Sequence, residues 1–197
     1  MQNKSQTMNS SYKWSCKFLL ALFLLTGYFE IGSMLPSGAP DKACSAMDPS
    51  LSKKHLGGKQ EGIAPFQLTI NKAVVAGGGT VTLQLDERDG PFDDDDFRGF
   101  MVQGLKNGSN KALGKFTVET NDPTVKQMTC NEVQGSSVTH VSREEKSSVM
   151  LTWMAPKLEH DTDVQFFFTV VVGLKKFWVK QEANQIVRVK ASGKDCI

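Results

Sequence analysis

The chain predicts an all-β fold, an antiparallel sandwich, and three observations carry that expectation. From Ala64 onward, short apolar alternations recur, each ended by turn residues. No stretch sustains the 3.6-residue stripe of an amphipathic helix. With an N-terminal leader set aside, about 160 residues remain, enough for one domain with its own core.

The elements follow in order. Phe66, Leu68 and Ile70 alternate with polar neighbours, as a half-buried strand does. Ala76-Gly77-Gly78-Gly79 turns the chain, and Val81, Leu83 and Leu85 repeat the pattern. Asp89-Gly90-Pro91 marks a turn before a strand over Phe97–Gln103, where Gly99 suits a bulge or a close backbone approach. Asn107-Gly108-Ser109-Asn110 reads as a loop and Gly114–Val118 as the next strand. Further strands are expected at Val138–Val141, Val149–Trp153, Val164–Val172, Phe177–Val179 and Ile186–Val189. Trp153 alternates with apolar residues and is assigned to the core. Val164–Val172 is the most apolar run, and on an open edge it would invite aggregation, so it is placed at the sandwich centre.

The first 33 residues read as a signal peptide. Lys4, Lys13 and Lys17 precede the apolar run Phe18–Leu25, and small residues near Gly32 and Ser33 offer a cleavage site. The run is well short of the ~20 apolar residues of a spanning helix, so no membrane span is expected in the mature chain. Met8 is an alternative start. The leader holds three of the 23 basic residues and one of the 21 acidic ones, which leaves 20 of each. A net charge of zero argues against nucleic acid as a partner. Cys16 departs with the leader, leaving Cys44, Cys130 and Cys196. In an oxidising compartment three cysteines give one disulfide and one spare thiol, with the pairing open.

An ordered set of segments resembles the reeler domain. They are Phe97-Arg98-Gly99-Phe100-Met101-Val102-Gln103, Val138-Thr139-His140, Leu151-Thr152-Trp153-Met154-Ala155-Pro156, and Phe166–Val172 followed by Phe177-Trp178-Val179. Pro36-Ser37-Gly38-Ala39-Pro40 with Cys44 matches the way such domains begin, and the resemblance spans residues 36–180. It implies an immunoglobulin-like β-sandwich forming a single domain over residues 34–197. It also implies a Cys44–Cys130 bridge, closing a loop of about 86 residues, with Cys196 left unassigned. Reeler domains open reelin, F-spondin and certain membrane ferric reductases, and they occur alone in secreted invertebrate defence proteins. With Ile197 as its last residue, the chain is expected to be of the stand-alone secreted kind. The resemblance implies innate immunity, with lipopolysaccharide, peptidoglycan, glucan or haemocyte surfaces as partners. An extracellular adhesion or matrix module is the alternative.

The chemistry-bearing residues fit a binding module better than an enzyme. There is no GxSxG elbow, HExxH or CxxC spacing, so no catalytic residue, metal ligand or cofactor is expected. Asp93–Asp96 reads as a solvated acidic turn paired with Arg98. Calcium is disfavoured there, because adjacent residues of an extended segment point in alternating directions. His140 is expected to be a partly buried, hydrogen-bonded strand residue. Lys175 and Lys176 precede Phe177 and Trp178, and an aromatic pair beside basic residues is the candidate ligand contact, with a structural edge strand as the competing reading. Asn107-Gly108-Ser109 is a glycosylation sequon in a predicted surface loop.

Overall fold

A computed structural model describes residues 38–51, 55, 57–90, 96–120 and 122–192, all within one compact unit. The signal-peptide reading of residues 1–33, Pro36 and Ser37, Asp93–Asp95 and Cys196 lie outside the described residues.

Among the described residues eleven strands form, in chain order, β1 Phe66–Ile70, β2 Val74–Ala76, β3 Thr80–Glu87, β4 Gly99–Lys106, β5 Lys115–Thr117 and β6 Val125–Cys130. They continue with β7 Val133–His140, β8 Ser148–Met154, β9 Thr162–Gly173, β10 Lys176–Glu182 and β11 Val187–Lys190. Short 3-10 turns at Asp41–Ala43 and Pro49–Leu51 precede them. The small sheet runs β1-β3-β8-β5. The large one runs β2-β11-β9-β4-β7-β6, with β10 pairing β9 beyond β11. The fold is therefore the predicted all-β, immunoglobulin-like sandwich. One pairing is parallel, β2 with β11, so the large sheet is mixed. At Gly99 the ladder continues without a bulge, since Gly99 pairs with Val171 in unbroken register.

The core is built from the inward-facing alternate residues. Leu68, Leu83, Leu151 and Trp153 of the small sheet meet Val102, Val138, Phe166 and Phe168 of the large one. Trp153 stands edge-on to Phe166 at 5.1 Å, and its indole N–H donates to the Leu113 carbonyl at 3.1 Å. Burial of the aromatic body and satisfaction of its one donor together fix the ring. The backbone passes flush against it at Gly114, where φ is +68°. A Cβ there would lie 2.3 Å from the indole carbons, so only glycine fits. The apolar run of β9 is central as expected, with β4 along one side and β10 and β11 along the other.

Candidate functional site on the outer face of the large sheet

The outer face of the large sheet, which bears Met101, Phe167, Thr169 and Val171, is covered in part. The segment preceding β1 supplies half of that cover. Ala43 and Met47 pack on Met101 of β4 and on Met128 and Cys130 of β6. A disulfide joins Cys44 to Cys130, with Cα atoms 5.4 Å apart. Closing an 86-residue loop restricts the unfolded chain by about 4–5 kcal/mol. The cysteine pairing implied by the resemblance is the one present.

Polar pins complete this strap. The Ala39 N–H donates to Thr139 Oγ1 at 3.0 Å, and that hydroxyl donates to the Phe100 carbonyl at 2.7 Å. Thr169 Oγ1 donates to the Met47 carbonyl at 2.7 Å and accepts the Lys180 N–H at 3.0 Å. Gly38 enters the strap at φ +87°, and a Cβ there would lie 2.5 Å from the His140 carbonyl oxygen. These contacts explain why Thr139 is buried on a strand whose sequence looks half solvated, while the buried Ser136 hydroxyl donates to the Cys130 and Val133 carbonyls and that of Ser137 to Cys130 Sγ. The strap leaves a narrow cavity of about 60 Å³ above Phe100, Met101 and Thr169, bordered by His55 and His140. His140 is buried, and its Nδ1 lies 3.2 Å from the Phe100 N–H, the strand-bound role expected for it. Among the described residues, no three His, Cys, Asp or Glu side chains converge as metal ligands, and no helix is long and apolar enough to cross a membrane.

The predicted aromatic contact is corrected by this packing. Phe177 is 0% and Trp178 6% exposed. Trp178 points inward to Phe66 at 6.1 Å, while Phe177 packs under the strap against Val171 and edge-on to His55 at 5.8 Å. Strap residues 58–60 pair with β10: the Phe177 N–H donates to the Gly58 carbonyl, and the Gln60 N–H to the Phe177 carbonyl. The ring is thereby sealed from solvent, and the edge-strand reading holds. Of the four residues Lys175 alone is exposed, in the β9–β10 turn, with exposed Lys59 on the adjoining strap. Lys176 is half-buried.

The other half of this face is open. A cavity of about 440 Å³ lies between the loop after β4 and the far ends of β9 and β10, lined by Leu105, Asn107, Gln165, Phe167, Lys180, Glu182 and Ile186 among others. Lys180 takes φ +49° in a bulge of β10, and its ammonium sits 5.3 Å from the centre of the Phe167 ring. A neighbouring hollow of about 520 Å³ is acidic, bordered by Glu159, Asp161 and Asp163. The Lys190 ammonium hydrogen-bonds Asp161, and the Arg188 guanidinium hydrogen-bonds Asp163, holding both carboxyls below their ordinary range.

The expected pairing of Arg98 with the acidic turn falls on residues 93–95, outside the described residues. Arg98 meets Glu145, and beside it Lys146 is buried, its ammonium donating to the Glu144, Ser142 and Arg98 carbonyls. Desolvation pushes this amine below the usual lysine range. In sequence Lys146 looks like one more surface charge after Glu144 and Glu145. Only the bridge between Phe97 and Lys146 across the fold distinguishes it.

Comparisons with known proteins agree with this architecture. The family model described as Reeler domain matches residues 42–194. A protein of Antheraea mylitta named "Putative defense protein 1" is 32% identical over 157 residues, which cover 78% of this chain and 87% of that one. Ferric-chelate reductase 1 of Bos taurus is 29% identical over 166 residues, 83% of this chain but only 26% of the reductase. The chain spans about a quarter of the ferric-chelate reductases it matches. Among solved structures, the crystal structure of the human F-spondin reeler domain aligns with a TM-score of 0.54 at 17% identity, covering 74% of this chain and 99% of that one. At that identity the likeness speaks to the fold alone. By residues matched and by relatives aligned over most of both lengths, this chain belongs to the Reeler domain family.

Proposed function

We propose that the chain is an exported, non-enzymatic defence module that binds microbial surface molecules. The observation carrying this reading is the near end-to-end match to insect defense-protein relatives, over 82–87% of their own lengths. A Cys44–Cys130 disulfide fits the oxidising environment of an exported protein. In this reading residues 1–33 are the signal peptide and residues 34–197 the functional domain. Ferric-chelate reduction is not carried over, because the alignment leaves about three quarters of those relatives unmatched.

The strap seals the Phe177 and Trp178 rings, so the contact with anionic microbial groups falls to exposed basic residues, Lys175 with Lys59 beside it. Secreted full-length protein is incubated with intact bacteria, lipopolysaccharide, peptidoglycan and β-glucan, with an unrelated β-sandwich as control. Retention on at least one of these, reduced by Lys59→Ala with Lys175→Ala, supports the proposal. Retention no greater than the control's overturns it. Binding to host extracellular matrix in place of microbial material favours an adhesion module.

A further inference from the structure

We propose that a glycan on Asn107 folds back onto the outer face of the large sheet and seats its first sugars in the open cavity over Phe167 and Lys180. The inference rests on the export proposed above. The sequon Asn107-Gly108-Ser109 stands in an exposed turn immediately after β4. The Asn107 N–H donates to the Asp163 carbonyl at 2.9 Å, which anchors the residue's backbone. Among the described residues its carboxamide has no hydrogen-bond partner. Alternation along β4 puts Met101, Gln103 and Leu105 on the outer face, and Asn107, in the turn that follows, borders the cavity. The modification proceeds when Asn107 Nδ2 displaces a lipid-linked diphosphate from C1 of the first N-acetylglucosamine. The N–C1 bond forms as the C1–O bond breaks, and the amide nitrogen loses one proton.

The chemistry of the cavity suits a sugar better than solvent. N-acetylglucosamine offers an apolar ring face and an acetamide methyl alongside several hydroxyls. The cavity offers the partly exposed Phe167 ring and the 40% exposed Ile186 as apolar ground. Gln165, Glu182 and Lys180 stand around them as hydrogen-bonding groups. Lys180 adopts a left-handed backbone that a lysine rarely takes, and it is held there by the bulge in β10 and by Thr169 Oγ1. That conformation coincides with placing the ammonium over the Phe167 ring, at the cavity's edge. The other hollow that Asn107 borders carries three carboxylates, Glu159, Asp161 and Asp163, and has the His160 imidazole in place of a phenyl ring. The two halves of the face then have different covers, a disulfide-pinned strap on one and a covalently attached glycan on the other.

The test uses the full chain secreted from eukaryotic cells, as wild type, Asn107→Gln and Phe167→Leu, the last retaining apolar volume without a ring. Thermal melting is measured with the glycan intact, trimmed to its first sugar, and removed. Removal is expected to lower the wild-type Tm by about 2–5 °C, trimming by much less, and Phe167→Leu to erase most of the difference. In NMR spectra the acetamide methyl of the first sugars is expected to show an upfield ring-current shift that Phe167→Leu abolishes. An equal Tm loss in wild type and Phe167→Leu, or an unshifted methyl, overturns the proposal. An exported chain with an empty Asn107 overturns this inference alone. A chain that never reaches the medium overturns the export reading together with it.

Discussion

Replacing Cys44 and Cys130 together by alanine removes the covalent tie between the strap and the large sheet. The bridge spans 86 residues, and the loop-entropy relation gives about 4.5 kcal/mol of lost stability for a ring of that size. For a domain of this length that corresponds to a fall in Tm of roughly 9–18 °C. A local effect is superimposed on the global one. Without the bridge the strap is held by apolar contacts and by hydrogen bonds that include those of Ala39, Met47, Gly58 and Gln60. It is then expected to open independently of the sandwich. Guanidinium unfolding of wild type and variant, with Cys196→Ser in both to prevent thiol exchange, measures the first effect. Hydrogen exchange measures the second: the Ala39 and Lys180 amides should lose protection before those of Phe166 and Phe168. A stability loss below about 1 kcal/mol, with strap protection unchanged, would refute the reasoning, because the bridge would then constrain neither state.

Three further outcomes follow from the packing. Phe177→Ala, which empties a fully buried site, should cost about 3–5 kcal/mol in denaturant unfolding, while Lys175→Ala changes stability by less than about 0.5 kcal/mol. Gly114→Ala forces a Cβ onto the Trp153 indole at φ +68°. It should cost about 2–4 kcal/mol and perturb the tryptophan fluorescence and near-UV dichroism of the folded protein. Asp122 opens β6, accepting hydrogen bonds from the Thr124 hydroxyl, the Thr124 N–H and the Val125 N–H. Desolvation raises this carboxyl and those hydrogen bonds lower it, and the hydrogen bonds win. A depressed carboxyl stabilises the fold above its unfolded value of about 3.9, and the benefit disappears as pH falls through the lower folded value. The stability difference between wild type and Asp122→Asn should therefore be constant at neutral pH and vanish in strong acid.

Strands with regularly apolar inward residues were legible in sequence: β1, β3 and β8 lie where their alternation places them, and β9 where the most apolar run does. Two strands were not. β2 is three residues long and leaves Val74 exposed, and its pairing with β11 joins segments far apart in the chain. β6 shifts register between Met128 and Thr129, which breaks the period-2 pattern that would have announced it. The site was harder to read, because its outer face is defined by what covers it. Residues 38–51, 55 and 57–60 carry no periodicity, yet they decide that Phe177 is buried and that the Thr139 hydroxyl faces protein rather than water. Local pattern reports a residue's strand neighbours and is silent on a strap that is fixed by a distant cysteine. The Asn107 sequon was legible because a sequon is local, whereas the cavity beside it is assembled from three separate strand ends.

The most direct test of the account is peptide-resolved mass spectrometry of the full-length chain recovered from the medium of eukaryotic cells. The account predicts an N-terminus near Ser33 or Met34, a Cys44–Cys130 linked peptide that separates on reduction, and a glycan on Asn107. A chain held inside the cell, with residues 1–33 intact and Cys44 and Cys130 as free thiols, would contradict it.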